Sequence, residues 1–493
     1  MFDPMMLQSG AKTGAMDMDT VEALSKALSA GYGTDVAQLS GGGALRIQSL
    51  DTVLQATIQE NDHFVLFKKL QKTKPTATVD EWTEQDKVGG FLGGSTNTES
   101  GNIRSATGSY ARQVGMVKFL MQRREVTLVQ SLQKTIADSE AIEYSNGALA
   151  ILSDVEYLLF EGDELTSPTE FSGIKAQIQL GVNQGKIDGG NVISMDGKPL
   201  VNMKPINLAS AQIRRYGNFG RATDIFWNQD VQADMDNNLD PAFRVNLTNV
   251  GEGGLKLGAP VIGIRTSGGN IVANEDVFIR SDRMKQPFEI QYPTVAAENV
   301  GMKPAAVTAD ATASAVDSMF TAARAGNYYY LVAGLNAQGQ STGLVSAQVA
   351  VAAGKKVVLS ITRSVGQQET GYAIYRSRQN GGASIPGSDV DEGSDFREMV
   401  RIPVQGATTT WTDLNRDIPG TTEAYILNLS SGAHAITFRQ LLPMMKFPLY
   451  PTAAAIIPWA QLFFGFLRIT KRKHHVVIKN ILPTGQGWRP HAD

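Results

Sequence analysis

Not one cysteine occurs in the 493 residues, which removes disulfides, thiolate metal sites and cysteine nucleophiles together and leaves stability to packing or assembly. Histidine is nearly as scarce, with five in the chain, so little material exists for a histidine-based centre. Charge is modest: a charged fraction of 19% and a formal net charge of −3 argue against a protein whose main task is coating nucleic acid, while leaving room for a local basic patch.

Long hydrophobic runs are missing as well. The most apolar stretch, AAAIIPWAQLFFGFL from Ala453 to Leu467, is shorter than the ~20 residues of a membrane helix and is interrupted by Pro458 and Gln461. A buried strand and turn is predicted there. The opening MFDPMMLQSG has no basic stretch followed by an apolar core, so no secretory signal is read and a cytosolic protein is expected.

The catalytic templates are absent too. There is no phosphate-binding G-x-x-x-x-G-K-[ST], no G-x-S-x-G and no H-E-x-x-H; GEGGLK at Gly251 carries Lys256 where a dinucleotide fingerprint needs its third glycine. DMDNNLD from Asp234 resembles a calcium loop, but Leu239 replaces the turn glycine and Val245 the bidentate glutamate. A capped, solvated helix end is expected instead. His474 and His475, read on a strand, would face opposite sides and could not chelate one ion. The basic run Lys471, Arg472, Lys473 lacks interleaved aromatics and reads as a solvated strand face or an ion-pair partner at an interface. Trp82 and Trp227 read as core or interface anchors. No catalytic residue, metal ligand or cofactor is assigned.

What is present has a clear order. DTVEALSKALSA from Asp19 to Ala30 spaces Val21, Leu24 and Leu28 as a short helix on a loose arm. Between Pro75 and Gln113 the composition turns to Gly, Ser, Thr and Asn, most plainly in KVGGFLGGSTNTESGNIRSATGSYAR. A loop of this length is either disordered or ordered against something else, and a long extended hairpin is predicted. From about Arg124 to Phe160, Leu128, Leu132, Ile136, Ile142, Leu149, Leu152 and Leu159 mark one very long helix or two abutting ones, weakest at Asn146 and Gly147. SAQIRRYGNFGRATDIFWNQDVQADMDNNLD then reads as helix, strand over Asp224–Trp227, and helix.

From Lys303 to about Thr422 the texture becomes short alternating segments separated by turns: YYYLVAGL, KKVVLSITR, GYAIYRSR, REMVRIPV and TTTWTDLN, the spacing of a β-sandwich. On such a strand Tyr328 and Tyr330 share one face and Tyr329 and Leu331 the other, the alternate faces serving core and solvent, and the following NAQGQ closes a hairpin. Strand texture resumes afterwards, so the late segment is expected to pair with sheet material from before Lys303 and the sandwich to interrupt a domain.

The order of loose arm, glycine-rich extended loop, very long helix, α+β region and closing apolar strand resembles the major capsid proteins of tailed bacteriophages, the Hong Kong 97 fold, chiefly through ATDIFWNQDVQADMDN and the closing FPLYPTAAAIIPWAQLFFGFLRITKRKHHVVIKNILP. The segment over 303–422 is similar to immunoglobulin-like and fibronectin-type modules of phage structural proteins, through GYAIYRSR and TTTWTDLNRDIPGTT. The resemblance implies an α+β fold with an N-terminal arm (1–60), an extended-loop or E-loop region (61–123), a peripheral domain with its spine helix (124–205), an axial domain with closing strands (206–302 and 423–493) and an inserted immunoglobulin-like domain (303–422).

It further implies a non-enzymatic shell subunit of the virion, assembled in the bacterial cytoplasm into hexamers and pentamers. Packaged double-stranded DNA would be bound without sequence specificity, scaffold, portal or decoration proteins are possible partners, and no membrane is involved. Trp82, Lys87, Phe91, Arg104, Tyr110, Arg123 and Arg124 are the expected assembly contacts. Encapsulin-like nanocompartment shells share this fold and form the alternative; an enzyme with a β-sandwich accessory domain is the third class, disfavoured by the empty motif search.

Overall fold

Strand pairing joins segments hundreds of residues apart. The computed structural model describes residues 63–132, 139–238, 261–280, 301–337, 339–383, 395–451 and 455–491. The expected arm with its Asp19–Ala30 helix, and the GEGGLK stretch, lie outside them. The chain divides into two units, residues 1–58 with 129–142 and residues 59–128 with 143–493. The first is described only over 129–132 and 139–142, which are helical; every described strand belongs to the second.

A six-stranded sheet runs in the order Val192–Ser194, Val476–Ile481, Thr422–Leu427, Asp224–Trp227, Gly269–Glu275, Gly263–Thr266. All four residues of DIFW are buried, because the sheet is covered on both faces. Ile225, Trp227, Ala424, Ile426, Val476 and Ile478 face the helices Lys204–Arg214 and Gln229–Asn238 through Ile206, Ile213, Val231 and Met235. Their neighbours Phe226, Tyr425, Leu427 and Val477 point the other way, onto Phe160, Ile174 and Ile178. Period-2 alternation on a two-sided sheet yields this split. The strands after Thr422 do return to pair with Asp224–Trp227 and Val192–Ser194, as expected.

A second sheet is long and narrow. Ile436–Pro448 pairs antiparallel with Ile456–Ile469, which pairs in turn with Lys118–Thr127; the apolar stretch read as a buried strand is that central strand. The helix Ser139–Glu161 packs Ile151, Val155 and Leu159 against Phe438, Phe463, Phe466 and Leu467. It runs through Gly147 without a break, and the buried Gln461 side chain occupies the space that a Cβ there would need. The glycine expected to weaken the helix makes room for the Gln461 side chain of the neighbouring strand.

Three expectations need correction here. Arg124 to Thr127 are not helical: they end a strand whose ladder with Ile456–Trp459 overrides local helix propensity. His474 closes a short 3₁₀ turn over Arg472–His474 rather than sitting on a strand. The acidic end of DMDNNLD is not solvated: Asp234 is buried and takes the Thr484 N–H and hydroxyl, and Asp236 accepts from Val261 N at 2.8 Å.

Over its described residues the 303–422 stretch is built of strands and turns, with one 3₁₀ turn over Ala322–Arg324. One sheet holds Thr408–Asp413, Val357–Thr362 and Ala306–Asp310; another is built around Tyr330–Asn336, Gly371–Ser377 and Phe396–Pro403. Between them lie Val332, Val357, Leu359, Ile361, Tyr372 and Ile374, joined by Tyr328 and Tyr330. The hairpin after the tyrosines forms, Leu335 opposite Gln340. The opposite face of that strand is not solvated as expected, for Leu331, Ala333 and Leu335 are buried with Tyr375 and Phe396. A fully buried Arg376 donates to Asp413 at 2.6 Å and Asn415 at 2.7 Å, Tyr330 donates to the same carboxylate at 2.8 Å, and the guanidinium lies over Tyr328. This pairing satisfies a charge that would otherwise be prohibitive in the core.

Candidate functional site

The glycine-rich loop is a two-stranded antiparallel hairpin, Val79–Lys87 against Ser109–Met116, in register from Val79–Met116 to Lys87–Ser109 with an irregularity between Gln85 and Lys87. Beyond the ladder, residues 88–108 form a tip held by local bonds: Gly94 N donates to the Phe91 carbonyl, and the Asn97 amide to the carbonyls of Gly101 and Asn102. Gly89 has φ +95°, and a Cβ there would strike the Thr107 carbonyl, so the reversal demands glycine.

Side chains divide the hairpin into a fixed root and an unburied end. At the root, Asp80 accepts two bonds from Arg439 (2.9 and 3.0 Å) and one from Arg468 (3.1 Å). Glu84 accepts from the Arg472 guanidinium at 2.8 Å and from the Trp82 indole at 3.2 Å. Asp80, Trp82 and Glu84 share one strand face by alternation, a period-2 signal that sequence reading passed over. Arg472, grouped with solvated or interfacial lysines, is instead a buried ion-pair partner within the chain. At the far end Val88, Phe91, Leu92 and Ile103 are exposed, Ile103 almost fully.

An apolar stripe continues along the same chain path. Tyr110, Val114 and Met116 are exposed on one strand and Phe119 and Met121 on the next, with the consecutive buried pair Val117 and Lys118 resetting the alternation. Lys118 is tied to Glu164 and to the Pro168 carbonyl, both at 2.7 Å. Arg112, also exposed, lies between Tyr110 and Val114 on the same strand face.

Of the expected contact residues, Lys87, Phe91, Arg104 and Tyr110 fall together on the exposed part of the hairpin. Trp82 is half-buried in the root. Arg123 and Arg124 stand elsewhere, opposite Ala460 and Trp459, five and six ladder steps from the Lys118–Gly465 pair where the hairpin joins the sheet. Arg123 pairs with Glu125 at 2.7 Å, and Arg124 with Glu143 at 3.4 Å.

A cavity of about 430 Å³ lies where the all-β segment meets the rest of the unit, lined by charged groups including Glu161, Lys175, Arg280, Glu398, Arg401 and Glu423. Lys175 bridges Glu161 (3.2 Å) and Glu423 (2.8 Å), and Glu398 bridges Arg280 (2.9 Å) and Arg401 (3.0 Å). Burial alone would raise the Glu398 carboxyl, but the two guanidiniums hold it at about 2. The cavity is a neutralised seam. Among the described residues, no group of three or more His, Asp or Glu is placed to hold a metal ion, and no helix is long and apolar enough to cross a membrane.

No family model matches the chain, and no curated protein does. Among solved structures it is similar to the holo-SrpI encapsulin complex of Synechococcus elongatus, with 8% identity over 92% of this chain and 96% of that chain and a TM-score of 0.42. It is similar to the capsid of a native GTA particle at 10% identity, over 91% and 99% of the two chains, with a TM-score of 0.44. A chain from Mycobacterium phage Bobi aligns at 8% identity, over 90% and 98%, with a TM-score of 0.42. Capsid and encapsulin are the two shell types that the sequence resemblance brought forward.

Proposed function

We propose that the chain is the major capsid protein of a tailed bacteriophage, a Hong Kong 97-type subunit that assembles into hexamers and pentamers of an icosahedral shell around double-stranded DNA. The hairpin serves as the E-loop, Ser139–Glu161 as the spine helix of the peripheral domain, the six-stranded sheet as the axial domain, and 303–422 as an immunoglobulin-like module displayed outward. The virion is its location, and it acts without catalysis.

One observation carries this reading: a hairpin rooted by buried ion pairs whose tip exposes Val88, Phe91, Leu92 and Ile103. Ordering such a tip costs conformational entropy that its own contacts do not offset, and a neighbouring subunit can supply the missing apolar surface. Phe91, Arg104 and Tyr110 are the contacts on the hairpin, with Lys87 at the edge of its ladder. Negative-stain microscopy of the purified full-length chain tests it. Closed particles, tubes or sheets are expected; a monodisperse monomer under all salt and scaffold conditions refutes it. Particles that take up a cargo protein instead of DNA would assign the chain to nanocompartment shells.

A further inference from the structure

Ten described residues follow the strand Val476–Ile481. This stretch, LPTGQGWRPH over 482–491, is neither helix nor strand. Pro483 and Pro490 lack a backbone donor and Gly485 and Gly487 add freedom, so nothing local orders it. Yet Leu482, Pro483, Gln486, Pro490 and His491 are buried. Its order comes from the surfaces that it crosses, which must offset the entropy of fixing it.

The stretch begins on the body of the unit. Leu482 N donates to the Lys198 carbonyl at 3.3 Å, and Thr484 gives its N–H (2.8 Å) and its hydroxyl to Asp234 on the helix Gln229–Asn238. It then crosses to the 303–422 segment. Gln486 Nε2 donates to the Gly420 carbonyl at 2.8 Å. The Trp488 ring lies against Gly420, in the space that a Cβ there would need, and the buried Arg397 stands over it with its guanidinium 5.1 Å from the ring centre. Further on, the Pro490 carbonyl accepts from Gln379 N at 2.9 Å. Gln379 belongs to a fixed turn, since its own amide donates to the carbonyls of Ala323 (2.9 Å) and Ala325 (2.7 Å).

We propose that residues 482–491 are a strap that holds the 303–422 segment in one orientation on the body, with Trp488 as the anchor. An aromatic ring in a fitted seat carries more of a contact than polar pairs at its rim. Ion pairs cross the same boundary: Arg324 meets Asp196 and Lys479 meets Asp417, both at 2.6 Å, but each carboxylate is more than a third exposed, so each pair contributes little. Arg280 with Glu398 at 2.9 Å is the more buried exception. A segment held by its two chain crossings and such pairs is free to rock, and the strap removes that freedom. The strap does not depend on the shell reading.

The absence of cysteine makes site-specific labelling clean. Spin labels at Leu208→Cys, exposed on the helix Lys204–Arg214, and at Val365→Cys, exposed in the segment, should give one narrow distance distribution in the full-length chain. Trp488→Ala, and a chain ending at Gln486, should widen it about twofold. Hydrogen exchange over residues 378–381 should quicken about tenfold in both, while the helix Gln229–Asn238 exchanges as in wild type. Trp488→Phe, which keeps a ring beneath Arg397, should stay narrow. An unchanged width in Trp488→Ala overturns the strap. So does a loss of protection shared equally by the helix, which would make the stretch part of the body's own stability. If the chain ending at Gln486 does not fold, Trp488→Ala decides alone.

Discussion

Arg472 donates to Glu84 at 2.8 Å with both side chains buried, so a residue 388 positions downstream closes the root of the hairpin. The exposed end of the hairpin is thus presented from a base tied by ion pairs to Arg439, Arg468 and Arg472.

Glu84→Ala should strand the Arg472 charge in a buried site and cost on the order of 3 kcal/mol, read as a lower urea midpoint for the isolated subunit. Arg112→Ala breaks the exposed pair with Glu81 and should change stability by less than about 1 kcal/mol. Equal effects would remove the case for a locked root.

Deleting Gly89 to Ser105 takes away a tip whose side chains are largely exposed. A soluble subunit with an unchanged unfolding midpoint and no particles by microscopy is expected. If hydrogen exchange in the tip is equally protected in isolated wild-type subunits and in particles, its contacts are not intersubunit.

In the 303–422 segment, Tyr372→Ala or Ile374→Ala removes a fully buried side chain and should cost about 2 to 5 kcal/mol, against about 0.5 kcal/mol or less for the exposed Val365→Ala. Expressed alone, the segment should unfold cooperatively, as an inserted domain would. A non-cooperative melt would mean that its strands belong to the body of the unit.

His475 and His491 are buried, and burial drives both imidazoles down to about 3. A histidine lowered in this way contributes stability that is present above its unfolded pKa near 6.5 and is lost as pH falls toward the folded value, at about 1.4 kcal/mol per pH unit per proton. Thermal midpoints should drop steadily below about pH 6.5. His475→Asn should make that decline shallower by one proton, and an unchanged slope would show that the ring does not titrate on unfolding.

Gly147→Ala raises helix propensity by about 1 kcal/mol but drives a Cβ into Gln461, whose amide donates to the Tyr144 carbonyl at 2.6 Å. Net destabilisation is expected, with Gln461→Ala relieving part of it in the double mutant. A more stable single mutant would mean that Gln461 moves aside freely.

The sequence by itself determined what repeats locally. DIFW and its two flanking helices, the β texture from Lys303 to Thr422, the shared face of Tyr328 and Tyr330 and the long hairpin after Pro75 were all legible, because period and turn chemistry are carried by adjacent residues. Tertiary structure alone decided the rest. Arg124 is on a strand because Trp459 is its ladder partner, Leu331 is buried because that face of the sheet is covered, and Arg123 stands apart from the hairpin because the sheet carries it away. Glu84 meets Arg472 across 388 positions of chain. A charged side chain has the same local pattern whether it ends in water or in a partner's hydrogen bond, and only the folded chain supplies that partner.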